Sequence, residues 1–389
     1  MFTNIHVSNF LSFEDAVLNL TRASRVNNFN LIYGDNGAGK SNILKSISFL
    51  KELVDSNKNM TIPMLYNKYK NKAYDRPICL EYNFTIHNKK GSYLLCISEQ
   101  GIVKEKLKLV LNKNIHICYS VNNSKIDLSS KFFINNLVKY KNIISANNNQ
   151  YTVLSTLSKL SNDAFISSFI NVKEDISLFF FSFVDWINNI VISKDSSIDL
   201  LKGVVNKNYK EKLKLLTEIC KCFLPNYDQL YYLINRYDKN NIEYRLCYNK
   251  DFESIINVTK ESMGLKQVIY LIYYLLEATK NDKVIIIDEL DANIHPMLLQ
   301  EIINYFYKKI KGQIIYAGNN SITLLNIRDL KDGIYVINNS QIKNINDFRR
   351  IYEKNNIHDL YCRGVFGGIP VTNISKIKEV LENVDKQYC

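Results

Sequence analysis

The chain opens with alternation. Ile5 and Val7 sit between polar neighbours, Asn9-Phe10-Leu11-Ser12-Phe13 follows, and Leu18 and Leu20 suggest a returning strand. Strict alternation marks a strand with one buried face, so a small hairpin is expected first. The run Asn28–Tyr33 (NFNLIY) is apolar and short, which suits a buried strand. After a glycine-rich stretch, Ile43, Ile47, Leu50 and Val54 fall on one face of a helix. Residues 56–75 read as loop. Then Ile78, Leu80, Tyr82, Phe84 and Ile86 alternate strictly. Asn88-Lys89-Lys90-Gly91 reads as a turn. Alternation resumes at Tyr93, Leu95 and Ile97, at Val103, Leu107 and Leu109, and at Ile115, Ile117 and Tyr119. The pattern predicts an antiparallel meander from Ile78 to about Leu128.

Residues 131–225 change to helical spacing. Ile176, Phe179, Phe180, Phe183, Trp186, Ile187 and Ile190 form one wide apolar face, read as core. Leu213, Leu216, Ile219, Cys220 and Phe223 form another, ending before Pro225. Neither holds a heptad over several turns, so no long coiled-coil arm is expected. Strands return from Ile242. Glu261–Gln267 opens an apolar helix to about Ala278. Val284–Ile287 reads as a buried strand ending in Asp288-Glu289. Pro296 suits a helix start, and Leu299, Ile302, Ile303, Phe306 and Ile310 give that helix its face. Gln313–Tyr316 is another buried strand, followed by Ala317-Gly318-Asn319-Asn320, and a last hairpin spans roughly Gly333–Ile345. Together these predict an α/β protein with a mostly parallel central sheet, an antiparallel β lobe and an α-helical insertion rising from its middle. The expected division is 1–75 and 241–345 for the two parts of the head, 76–130 for the β lobe, 131–240 for the insertion and 346–389 for the tail.

Composition changes this picture little. A chain of 389 residues with 46% hydrophobic content and 26 Tyr can build a sizeable core. No stretch approaches the ~20 apolar residues of a membrane span. The start MFTNIHVSNF lacks a basic region followed by an apolar run, so the expectation is a soluble, cytoplasmic chain. The net charge of +12 comes from lysines spread throughout an Asn-rich chain. That reads as a bias of the whole sequence, with nucleic acid kept open as a partner. The densest local run is Asn67–Lys72, where Lys68, Lys70 and Lys72 surround Tyr69. The eight Cys are scattered without zinc-site spacing and read as reduced thiols.

The chemistry concentrates at Gly34–Ser41, GDNGAGKS, which fits the phosphate-binding loop G-x-x-x-x-G-K-[ST]. Gly37 and Gly39 let the backbone curl around a polyphosphate. The N–H groups of Asn36, Gly37, Ala38, Gly39, Lys40, Ser41 and Asn42 then lie at a helix N-terminus that favours anions. Lys40 would reach the β- and γ-phosphates of ATP, and Ser41 would bind Mg²⁺. Asp288, at the end of an apolar strand, would hold the same Mg²⁺ through water. Glu289 is placed to polarise the attacking water as catalytic base. An aromatic among Phe10 and Phe13 is either a partner for the adenine ring or plain core.

Four stretches together resemble a known family. They are Asn9-Phe10-Leu11-Ser12-Phe13, GDNGAGKSN at 34–42, ESMGLK at 261–266 and DELDANIHP at 288–296. Their order resembles ABC-type ATPase heads of the RecF/SMC-like class, and more closely bacterial AAA-type ATPases of the abortive-infection (AbiL-type) group. The tail YCRGVFGGIP at 361–370 looks like that group's terminal Gly-rich motif. The resemblance implies a P-loop NTPase of the ABC-head type that closes as a dimer around ATP. Ser262 and Gly264 would be the signature that one copy presents to the γ-phosphate held by the other. Asp291 would lie at the dimer seam. It further implies a role in phage defence, with an effector in trans, plausibly a nuclease. A RecF-like DNA-repair ATPase and a non-hydrolysing scaffold locked by ATP are the alternatives. The chain departs from the family in three places. Asn319 stands where a γ-phosphate-sensing His is usual, which implies slow hydrolysis. Val365 stands where the tail motif tends to have Arg. No clear Gln marks the loop after the first lobe.

Overall fold

Numbered in chain order, the elements are strands β1 (Phe2–Phe10), β2 (Phe13–Asn19), β3 (Thr21–Arg22), β4 (Arg25–Val26) and β5 (Phe29–Gly34), then helix α1 (Lys40–Val54). The meander follows as β6 (Ile78–Ile86), β7 (Lys89–Ser98), β8 (Gly101–Leu111), β9 (Asn114–Asn122) and β10 (Lys125–Leu128). Next come α2 (Val153–Ser161), α3 (Asp175–Asn188), β11 (Val191–Ile192), α4 (Tyr209–Phe223), β12 (Gln229–Asp238), β13 (Asn241–Lys250) and β14 (Ser254–Asn257). The chain continues through α5 (Met263–Ala278), β15 (Val284–Asp288), α6 (Pro296–Phe306), β16 (Gln313–Ala317), β17 (Ile334–Asn338), β18 (Gln341–Asn344) and α7 (Ile357–Cys362). The computed structural model describes residues 1–54, 66, 75–111, 113–123, 125–129, 152–161, 175–193, 209–224, 229–238, 241–250, 254–289, 291–321, 328–348, 356–369 and 376–377. The basic run Asn67–Lys72 and the end of the tail motif at Pro370 lie outside these residues.

A six-stranded sheet, ordered β11-β15-β16-β5-β17-β18, forms the centre. All its pairs are parallel except β17–β18. Both faces are covered, which is why β5, β15 and β16 read as continuous apolar runs. Ile286 and Ile315 face one core with α1, α2, α3 and the β lobe. Ile285, Ile287 and Ile314 face the other with α4, α5 and α6. Among the described residues no helix is long and apolar enough to cross a membrane.

The first hairpin does not stand apart from the meander. β1 pairs antiparallel with β6, so all seven strands make one sheet, β10-β9-β8-β7-β6-β1-β2. Two details of its register depart from the sequence reading. The β6–β7 turn is His87-Asn88, with φ of +46° and +63°, the left-handed pair that a two-residue hairpin requires. That register sets Cys79 directly opposite Cys96, Cα atoms 4.1 Å apart, and the two are joined as a disulfide. The expectation of reduced thiols therefore fails for this pair. On β9 an irregularity opposite Leu107/Lys108 shifts the alternation by one. Cys118 and Tyr119 are both fully buried, while Ile115 and Ile117 are 68% and 44% exposed.

The insertion also differs. Its described helices do not rise from the head. Phe179, Phe180, Phe183, Trp186 and Ile187 of α3 are buried in the lobe's core, as the stripe implied. Leu216 and Cys220 of α4 pack with α5 on the opposite side of the central sheet. Strand structure returns at Gln229, thirteen residues before Ile242, because β12 pairs antiparallel with β13.

Candidate nucleotide site

The site is built on the C-terminal ends of β5, β15 and β16, where parallel strands hand the chain to loops. β5 ends at Gly34, and the loop from Asp35 to Gly39 turns into α1 at Lys40. Gly37 and Gly39 have φ of +80° and +113°, values that L side chains rarely adopt. At Gly39 a Cβ would also lie 2.4 Å from Ser12 Oγ and 2.8 Å from the Phe13 ring. The β1–β2 turn thus backs directly onto the loop, and Asn42 Nδ2 donates to Ser12 Oγ at 2.9 Å. Phe10 and Phe13 are both fully buried. They are core, and neither ring is open to an adenine.

Lys40 is only 5% exposed. Its ammonium donates to the carbonyls of Gly34 and Asp35, at 2.9 and 3.1 Å. Burial lowers its pKa, while Glu289, Asp35, Asp288 and Asp291 pull it back up. A buried ammonium resting on two carbonyls of a glycine loop is the cation that such a loop motif calls for.

Residues far apart in sequence meet here. Ser41 Oγ donates to Asp288 Oδ1 at 3.1 Å, across 247 positions. A hydroxyl and a carboxylate oxygen side by side, next to a phosphate loop, suit the hard oxygen ligands that Mg²⁺ takes. Asp288 is held by its own backbone, whose N–H donates to Ser193 Oγ at 3.0 Å. Ser193 follows β11 on the edge of the central sheet, and Ser193 N donates to Ile286 O at 2.8 Å. The sequence reading missed Ser193, because a two-residue strand carries no periodicity.

Glu289 has φ of +52°, a strained value for a branched-free but Cβ-bearing residue. Its N–H donates to Ala317 O, and its carboxylate Oε1 accepts from Asn319 Nδ2 at 3.3 Å. The residue expected to sense γ-phosphate therefore touches the expected base. Asp291 follows two residues on. It is 3% exposed, and its Oδ2 accepts from the N–H groups of Asn319 and Asn320, at 3.0 and 2.7 Å. Burial raises its carboxyl pKa, those N–H groups oppose the rise, and Glu289 adds to it. Gly318 makes room for it, since a Cβ there would lie 3.1 Å from Asp291 Oδ2.

Ser262 caps α5, accepting from Leu265 N at 3.4 Å, and is exposed. A Cβ on Gly264 would fall 2.4 Å from Asn293 O, so this glycine lets the 291–293 turn lie against α5. Gln267 Oε1 accepts from Asn293 N at 3.2 Å and fastens the contact. Met263 and Met297 leave 45% and 57% of their surface open beside this turn.

A glycine loop at a helix N-terminus, beside an acid-ended parallel strand, defines the P-loop NTPase class. Residues 29–317 match the family model described as "AAA domain, putative AbiEii toxin, Type IV TA system", and the chain belongs to that family. By sequence, no curated protein matches. Among solved structures the fold is similar to an SMC head bound to the C-terminal winged-helix domain of ScpA, at 12% identity and TM-score 0.49, over 88% of this chain and 96% of that one. It is similar to the SMC head domain from Thermotoga maritima, at 12% identity and TM-score 0.44, over 88% and 98%. A Pyrococcus furiosus Smc head with an extended coiled coil, bound to the C-terminal domain of ScpA, gives 11% identity and TM-score 0.46, over 88% and 95%.

Proposed function

We propose that this chain is an ABC-type ATPase that binds ATP, hydrolyses it slowly and works as a dimeric nucleotide switch. The loop amides from Asn36 to Asn42 and the Lys40 ammonium hold the β- and γ-phosphates. Ser41 and Asp288 would hold Mg²⁺, which neutralises phosphate charge when bound. Glu289 accepts a proton from the attacking water and orients it. Ser262 and Gly264 of a second copy complete the site at the γ-phosphate, and Asp291 lies near that seam. The exposed Met263 and Met297 support an apolar face for such closure.

The observation that carries this reading is the meeting of Ser41, Asp288, Glu289 and Asn319 in one cluster. It also argues for slowness. Asn319 is neutral and carries no mobile proton, and it occupies the carboxylate that must act as base. The biological setting rests on the family: an abortive-infection toxin-type ATPase that senses a trigger and controls a partner effector such as a nuclease. Steady-state ATP turnover of the purified chain tests the biochemical part. Turnover well below 1 s⁻¹, roughly the bottom of the usual enzyme range, fits it. Rapid turnover contradicts the role given to Asn319.

A RecF-like DNA-binding ATPase remains a second reading, on one observation. Lys104, Lys106 and Lys108 alternate along the outer face of β8. Burial first, then these two neighbours, lower the pKa of Lys106. DNA affinity that falls steeply with salt would favour it.

A further inference from the structure

The tail motif forms a loop whose target is the phosphate site. From α7 the chain turns through Gly364, Gly367 and Gly368, all left-handed, with φ of +73°, +69° and +69°. Phe366 plugs the loop into the core, 1% exposed, its ring 5.3 Å from that of Phe348. Gly368 then lies on the first residue of the phosphate loop. A Cβ there would fall 2.7 Å from Val336 Cγ1, 3.0 Å from Ile337 O and 3.3 Å from Gly34 Cα. Tyr361 fixes the approach. Its hydroxyl donates to Gly368 O at 3.0 Å, and its ring tilts against Tyr33 at 5.9 Å. Burial raises its phenol pKa, and the nearby Asp35 carboxylate adds to the rise. Gly34 is also the residue whose carbonyl Lys40 holds. From the same helix, His358 reaches the loop after β16, where its Nδ1–H donates to Ser321 O at 2.9 Å.

We propose that α7 and the glycine loop are a clamp that positions the two nucleotide-responsive loops against each other. Tyr361 and Gly368 are positioning residues for the phosphate loop, and His358 is one for the 319–321 segment. The reason is geometric. Gly34 is gripped between β17, Gly368 and the Lys40 side chain, so a shift of the tail moves the carbonyl that Lys40 must release when phosphate binds. The same rigid turn of helix carries any movement of 319–321 back to Gly34. The proposal rests on the nucleotide reading above.

The test uses the full chain and its Tyr361→Phe, Gly368→Ala and His358→Ala variants. Affinity for a fluorescent non-hydrolysable ATP analogue with Mg²⁺, single-turnover hydrolysis and nucleotide-free melting are measured for each. Tyr361→Phe keeps the ring and removes one hydrogen bond, so analogue affinity is expected to fall about threefold to tenfold. Gly368→Ala should weaken it more than about tenfold. His358→Ala should leave affinity within about twofold and raise single-turnover hydrolysis at least about fivefold, because a displaced Asn319 releases the Glu289 carboxylate. Phosphate-side variants thus act on affinity and the switch-side variant on rate. A lowered melting temperature with wild-type affinity and rate makes the tail purely structural and overturns the clamp. Wild-type values throughout overturn it too, while wild-type analogue binding keeps the nucleotide reading. If the wild-type chain binds no analogue, both fall.

Discussion

Two buried carboxylates, one in the β lobe and one at the nucleotide site, are held on different terms. Glu105 on β8 is fully buried and accepts four hydrogen bonds. Tyr93 and Tyr119 donate their hydroxyls to Oε1 at 3.1 and 3.0 Å. The N–H groups of Val153 and Leu154, at the start of α2, donate at 2.7 and 3.0 Å. An anion at a helix N-terminus with every acceptor used is an anchor, and it pins α2 to the lobe. Asp291 is nearly as buried, but its N–H donors come from the loop that carries Asn319. Beside it Glu289 holds a strained backbone, and the Lys40 ammonium rests on the carbonyls of Gly34 and Asp35. The lobe spends its buried charge on rigidity. The site keeps its buried charge on loop groups, which the proposed nucleotide would displace.

Substitutions separate the two kinds of burial. The largest effect is expected from Lys40→Ala, which should abolish measurable MgATP binding in a titration while melting changes little. Next is Glu289→Gln, which should retain MgATP binding and slow single-turnover hydrolysis by about 10²-fold or more, the usual worth of a general base. Normal turnover in that variant would remove Glu289 from the catalytic role. In the lobe, Glu105→Ala should cost about 3 kcal/mol in urea unfolding, because four buried donors lose their acceptor. Nucleotide affinity of its folded fraction should be unchanged.

Acidity sharpens the contrast further. Burial raises the Glu105 carboxyl above its usual 4.5, against the pull of its donors. The folded chain therefore keeps that proton to higher pH than the unfolded chain. This contribution to stability is present below about pH 4.5 and is lost as pH rises through the folded value. Glu105→Gln cannot titrate, so its stability should fall less over that interval in pH-dependent unfolding. The smallest effect is Gly37→Ala. A Cβ there meets nothing within 4 Å, so only the left-handed φ of +80° is penalised, about 1 kcal/mol.

Much of this site could be read from the chain because its parts are local. A phosphate loop is eight consecutive residues, and Val284–Asp288 announces itself as an apolar strand that stops at an acid. The pairing of Ser41 with Asp288 followed from the motif logic, and the structure brings them together. Other features were hidden by context. Glu105 sits in the run Lys104-Glu105-Lys106-Leu107-Lys108, which looks like a solvated charge ladder. Its phase with Leu107 and Leu109 was the available signal that it points inward. The disulfide needed the register of β6 on β7, and that depended on placing the turn at His87-Asn88. Ile115 and Ile117 were misread because a bulge reverses faces without changing composition. The tail glycines are legible as turns, but their contact with Gly34 joins positions more than 300 apart, which no local pattern encodes.

The proposed switch requires that ATP close two copies of this chain around a slow site. Light-scattering mass measurement of Glu289→Gln with and without MgATP tests it most directly. The predicted result is a monomer without nucleotide and a dimer with it, lost again when Ser262→Arg is added. A mass that does not change with MgATP, in protein shown to bind it, would contradict the account.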